Sequence, residues 1–174
     1  TTVSGSISTQ GKTAYGIYNN DQSNETTIES GGSIETTGIG AIGVFNEGRG
    51  NTTNVVGSIT TEGVNKANSD DTSTQTDGIH NGGNNATNVS GTVTTRGNSA
   101  RGIYNAGGSN TTTLSGSIIT EGKNARGIVN NRANNETTIT ETGSIETAGT
   151  GSTGIRQSYD AETLTENILT VEGS

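Results

Sequence analysis

Apolar positions are sparse in this chain, and they recur in step. Gly-Ile or Gly-Val falls at 16–17, 43–44, 78–79, 102–103, 127–128 and 154–155. Gly-Ser-Ile, once varied to Gly-Thr-Val, falls at 5–7, 32–34, 57–59, 91–93, 116–118 and 143–145. A third phrase links them: NETTI from 24, NTTNV from 51, NATNV from 85, NTTTL from 110 and NETTI from 135. Six copies of a unit near 25 residues account for the 174 residues. A period of that size predicts a solenoid in which each unit is one coil.

Within a unit the apolar residues alternate with polar ones, the period of a half-buried strand. In TTLSGSIIT (112–120), Thr112, Leu114, Gly116, Ile118 and Thr120 form the inward set. A turn at Gly122 leads to a third strand in ARGIVN (125–130). Gly and Asn occupy the turns, where positive φ is needed. The Thr, Ser, Asn and Gly that dominate the chain are poor helix formers. The expected fold is therefore all-β: a single-stranded parallel β-helix of about six coils, three short strands each, forming one domain over 1–174. Its inward rows are Ala14, Ala41, Ala100, Ala125; Ile17, Val44, Ile79, Ile103, Ile128, Ile155; Ile7, Ile34, Ile59, Val93, Ile118, Ile145; and Thr9, Thr36, Thr61, Thr95, Thr120, Thr147. Asn19, Asn46, Asn81, Asn105 and Asn130, followed by Gln157, are expected to form an amide ladder, each side chain donating to the next. Tyr15, Ile42, Asp77, Arg101, Arg126 and Thr153 are expected to face solvent. A coil buries too little to stand alone, so backbone hydrogen bonds between coils and the Thr and Asn ladders are expected to hold the stack.

The repeat departs in two places. Gly63 to Gly78 spans fifteen residues where the other copies span five, which places an insertion at 64–76. The last coil is irregular over 156–169. Such a loop is read either as a tolerated surface insertion or as a binding element.

Composition narrows the function classes. Only 25% of residues are hydrophobic and 3% aromatic, too few for an ordinary globular core, so the repeat must supply the order. There is no proline, so every residue can donate to a backbone ladder. There is no cysteine, hence no disulfide or thiolate metal site. A net charge of −8 disfavours nucleic acid and anionic membranes as partners. No apolar run is long enough for a transmembrane helix, and no membrane insertion of this segment is expected. With no initiator Met or signal peptide, the chain reads as a mature or excised piece. Val3 and Val171 hold the same phase, so both ends are expected to be uncapped strand edges, open to homotypic end-to-end stacking.

Candidate chemistry is thin. The best contact surface is the outward row Tyr18, Phe45, His80 and Tyr104, whose rings could stack on a sugar or a partner chain; β-propensity alone also puts rings on strands. His80, the single histidine, reads as a member of that row rather than a base. Asp70, Asp71 and Asp77 read as a charged loop rather than a cation site. Glu35 and Glu146 share a row four coils apart, roughly 19 Å, too far for a catalytic pair. No phosphate loop, dinucleotide fingerprint or nucleophile elbow is present. Asn-x-Ser/Thr recurs at Asn24, Asn51, Asn85, Asn88, Asn110 and Asn135, as any Thr/Asn-rich repeat would produce, and no glycosylation is inferred. No catalytic residue, metal or cofactor is assigned.

GSITTEG, NARGIVN and NNETTI together resemble the β-helical passenger repeats of bacterial autotransporters and related surface adhesins. The resemblance covers all but 64–76 and 156–169. It implies a right-handed parallel β-helix, secreted to the cell surface, and carries over no catalytic residue. The expectation is an extracellular stalk, fibre or adhesive scaffold, with a host or cell-surface glycan or protein as partner. The alternatives are a carbohydrate-binding or ice-binding solenoid and, last, a carbohydrate-active enzyme. The row Ser8, Glu35, Thr60, Thr94, Ile119, Glu146 is too irregular and charged for an ice face.

Overall fold

A computed structural model of the chain describes residues 1–63, 76–158 and 166–173. One coil shows how the sequence makes its elements. Strands run Thr111–Leu114, Ser117–Glu121 and Arg126–Asn130. Threonine and β-branched residues suit a pleated, half-buried surface. Thr112, Leu114, Ile118, Thr120, Ile128 and Asn130 are buried. Each strand lies parallel to its counterparts one repeat away: Leu114 opposite Val89 and Ile139, Ile118 opposite Val93 and Ile145, Ile128 opposite Ile103 and Ile155. Repetition builds three parallel sheets of seven, six and six strands, with no helix among the described residues. The chain is a parallel β-solenoid with three strands per coil. Aliphatic columns from the three sheets meet in one core running from Val3 to Ile139.

Two turns of the coil use a left-handed residue wherever the turn is described. Between the second and third sheets these are Thr13, Gly40, Ser99, Asn124 and Gly151; between the third and first they are Ser23, Gly50, Asn84, Ser109 and Asn134. Thr and Ser thus hold positions expected of Gly and Asn. The strain of φ near 55–60° is offset by hydrogen bonds to the adjacent coil, such as Thr13 N–H to Ile39 O at 2.8 Å and Ser99 N–H to Lys123 O at 2.8 Å.

The amide ladder exists as expected from Asn19 to Asn130. Each Nδ2 donates to the next Oδ1, at 2.7, 2.9, 2.9 and 2.8 Å in turn. The second amide proton goes to a threonine of the same coil: Thr26, Thr53, Thr87, Thr112 or Thr137, at 3.0–3.2 Å. Gln157 holds the register of Asn130 but is exposed. A second asparagine ladder went unread in the sequence. The Oδ1 atoms of Asn51, Asn85, Asn110, Asn135 and Asn167 each accept the backbone N–H of the asparagine one coil earlier, at 2.8–2.9 Å. Each of these asparagines from Asn24 to Asn135 directly follows a left-handed turn residue, so its amide substitutes for a backbone carbonyl where the chain bends. Asn51, Asn85, Asn110 and Asn135 are buried, which removes them as glycan acceptors.

The threonine expectation needs correcting. The inward column Thr36, Thr61, Thr95 and Thr120 forms no hydrogen-bonded ladder; its buried hydroxyls meet no partner among the described residues. The bonding column is the one that follows each asparagine phrase, where Asn side chains reach it. Of the insertion at 64–76, only Thr76 is described, and it is buried; residues 64–75 lie outside the described residues. Of 156–169, Arg156 and Gln157 end a strand and Ile168–Val171 forms the last one.

Candidate functional site

The outer face of the third sheet gathers the side chains with the most chemistry. It is built from the strands Tyr15–Asn19, Ile42–Asn46, Asp77–Asn81, Arg101–Asn105, Arg126–Asn130 and Thr153–Gln157. In each, the glycine that follows the first residue breaks the alternation. A Cβ on Gly16 would lie 2.3 Å from the Ile34 Cγ2, inside the core. Ile17 also packs in the core. Two successive inward residues leave the first and fourth positions on the outside. That is why the rings of Tyr15 and Tyr18 stand 5.4 Å apart on one face.

In-register stacking turns those two outward positions into two rows. Tyr18, Phe45, His80 and Tyr104 form the aromatic row, with successive ring centroids 5.3, 4.7 and 4.9 Å apart. The rings pack on one another, so they form a closed column rather than separate platforms. Tyr18 is the open end, 47% exposed. Its hydroxyl donates to Glu47, and that bond raises the phenol's pKa above the ordinary tyrosine value. Beside this column, Gly82, Gly83, Gly107 and Gly108 leave an open groove of about 590 Å³ next to Glu47 and Arg49.

The companion row does not face solvent as expected. Ile42 and Asp77 are buried, Arg101 and Arg126 are half-buried, and Thr153 alone is well exposed among Ile42, Asp77, Arg101, Arg126 and Thr153. Long side chains on the same face cover it. Arg101 grips Asp77 with two bonds, Nε to Oδ1 at 2.6 Å and Nη2 to Oδ2 at 2.8 Å. Its guanidinium also lies 3.5 Å over the Tyr104 ring. His80 Nδ1 sits 2.9 Å from Asp77 Oδ2. Asp77 is therefore the buried anchor of an ion pair, not part of a charged loop; Asp70 and Asp71 lie outside the described residues. Arg126 follows Arg101 in this row, and Arg156 ends the aromatic row beyond Val129; the sequence placed Arg126 on the outer face and singled out neither as a site residue.

Burial alone would push the Asp77 carboxyl up; Arg101 and His80 outweigh it and hold its pKa below the ordinary aspartate value. A depressed folded pKa stabilises the fold above the unfolded value, about 3.9, and that stability is lost as pH falls through the folded value. Asp77→Asn should therefore cost about 2 kcal/mol at pH 7, by loss of charge-assisted bonds. The gap to the native chain should close as pH falls below about 4. Urea melts at a series of pH values read this directly. A gap that persists undiminished in acid would rule out the charge as its origin.

No protein-family model, curated protein or solved structure matches the chain. The arrangement itself is what bears on function. It is an in-register strip, one row led by aromatic rings and the other carrying Asp77, Arg101 and Arg126, held on a backbone that repeats coil by coil.

Proposed function

We propose that the chain is an extracellular structural and adhesive β-solenoid, a stalk or fibre module of a cell surface that presents the outer face of its third sheet. The observation that carries this reading is the sameness of the two end coils. At one end the edge strands are Thr2–Val3, Ser6–Gln10 and Tyr15–Asn19; at the other they are Ser144–Ala148, Thr153–Gln157 and Ile168–Val171. Both edges keep the register of the interior, Ile7 with Ile34 and Ile145 with Ile118. A further coil of the same kind, from this chain or a second copy, would continue every ladder. Leu169 continues the buried Thr137 column and Val171 the core column of Ile139, and they are 42% and 63% exposed, an apolar end face suited to such a coil. Assignment to a bacterial surface rests on the repeat's resemblance to autotransporter passengers.

Electron microscopy of the 174-residue chain across a concentration series tests the reading. Unbranched fibres with a subunit rise of roughly 29 Å, six coils at about 4.8 Å, are expected at high concentration. Isolated rods at every concentration would overturn end-to-end stacking. A second reading, carbohydrate binding, is favoured by the aromatic and arginine rows of the third sheet.

A further inference from the structure

Positive charge is placed unevenly in this acidic chain. Five of its nine lysines and arginines, Arg101, Lys123, Arg126, Arg132 and Arg156, fall in the segments 99–106, 122–134 and 149–158. Those segments contain no aspartate or glutamate. The fold stacks them as neighbours: Arg101 lies opposite Arg126, and Val129 opposite Arg156. Asp77 faces Arg101 within this group, and Arg101 takes both its oxygens. Arg126 is left half-buried between two cations. Burial first, then Arg156 and Arg101, lower its pKa from the ordinary arginine value. A partly desolvated guanidinium beside like charges is destabilising on its own, and an incoming oxyanion relieves it.

We propose that this patch binds an acidic polysaccharide, with Arg126 and Arg156 holding its carboxylate or sulfate oxyanions. The proposal rests on the adhesive reading above and names the ligand of that face. Charge and size select the class. The patch spans three strands, about 10 Å along the rod, room for a few sugars. Nucleic acid and anionic membranes present dense charge over a longer span, where the net −8 of the whole chain opposes them. A polysaccharide carries its charges on separate sugars, so one or two oxyanions can sit on the arginines without a long polyanion meeting the acidic remainder. Planar guanidinium matches a carboxylate or sulfate in a two-bond fork, and the exposed Thr153 beside Arg126 offers a hydroxyl partner.

The test is calorimetry of the whole chain with four probes: an oligogalacturonate, a heparin-derived oligosaccharide, a neutral dextran oligosaccharide and duplex DNA. Binding of one or both acidic oligosaccharides, weakened by salt, is expected, and it tells carboxylate from sulfate. Dextran and DNA should bind far more weakly. The double variant Arg126→Ser/Arg156→Ser should lose roughly tenfold or more in affinity. Arg96→Ser should change nothing, because Arg96 sits in exposed pairs with Glu62 and Glu121 on the second sheet. No binding of either acidic probe, binding unaltered in the double variant, or DNA bound as tightly would each overturn the proposal. Microscopy of the same double variant separates the two readings. Fibres without glycan binding in the native chain would sink this inference alone and leave the structural module standing.

Discussion

Asn81→Ala is expected to destabilise the solenoid by about 4 kcal/mol. Asn81 sits in the third coil with ladder neighbours on both sides. Its Oδ1 accepts from Asn46 at 2.9 Å, and its Nδ2 donates to Asn105 at 2.9 Å and Thr87 at 3.0 Å. All four side chains are buried. Truncation leaves an amide proton, a carbonyl and a hydroxyl without their partner, at about 1–3 kcal/mol for each buried group. That corresponds to roughly 10 °C in Tm for a chain of this size. Position should matter as much as chemistry. Asn19, in the first coil, donates to Asn46 and Thr26 and leaves only those two groups unpaired, so Asn19→Ala should cost about 2 kcal/mol. Asn81→Asp should be worse than alanine at neutral pH, because a buried carboxylate would face the Asn105 carbonyl oxygen with nothing to donate. It should partly recover in acid, where the protonated carboxyl regains a donor. Thermal melts followed by circular dichroism rank these variants. Equal losses at Asn19 and Asn81 would show that the bonds do not act as a coupled ladder.

This ladder was legible in the sequence because stacking puts identical residues at one phase of the repeat, and an identical inward amide has few other ways to be satisfied. The aliphatic columns were legible for the same reason, as was the aromatic row. What escaped the reading depends on direction rather than identity. A one-dimensional alternation from Ile17 cannot show that Gly16 also points inward, and that shift decides what surrounds Asp77 and Arg101. The second asparagine ladder was hidden by its setting. Asn24, Asn51, Asn85, Asn110 and Asn135 stand in a turn, where asparagine is expected for its conformation, so the carbonyl role was masked. The Thr36 column was read as bonding because threonine can bond. In the fold its neighbours include core methyls and glycines, and the ladder amides donate to the Thr26 column of the first sheet instead. Arg126 and Arg156 carried a signal that was on the page: an acid-free window in an acidic chain.

The glycine at the second position of the interior third-sheet strands should be hard to replace. Gly102→Val is expected to cost about 4 kcal/mol, above the usual range for overpacking. An added Cβ would stand 2.3 Å from the Ile118 Cγ2 and 2.7 Å from the Gly127 carbonyl oxygen. The first contact is a core side chain that is fully buried, with no room to swing aside. The second is backbone in the next coil, where a shift would break the pairing of Arg101–Asn105 with Arg126–Asn130. The same two contacts recur at Gly16, Gly43, Gly78 and Gly127, at 2.3–2.4 Å from an aliphatic methyl and 2.5–2.6 Å from a glycine carbonyl. None of these glycines has positive φ, so the requirement is space and not conformation, and Gly102→Ala should already cost about 3 kcal/mol. The control is Gly154→Ala. There the nearest atom to a new Cβ is the Ile145 Cγ2 at 4.0 Å, and the change should cost under about 1 kcal/mol. Hydrogen exchange would show more than a melt, since coils interact only with neighbours. Gly102→Val should expose amides in the strands on either side of the lesion while those of the first two coils stay protected. Uniform loss of protection along the rod would contradict the nearest-neighbour picture on which the whole architecture depends.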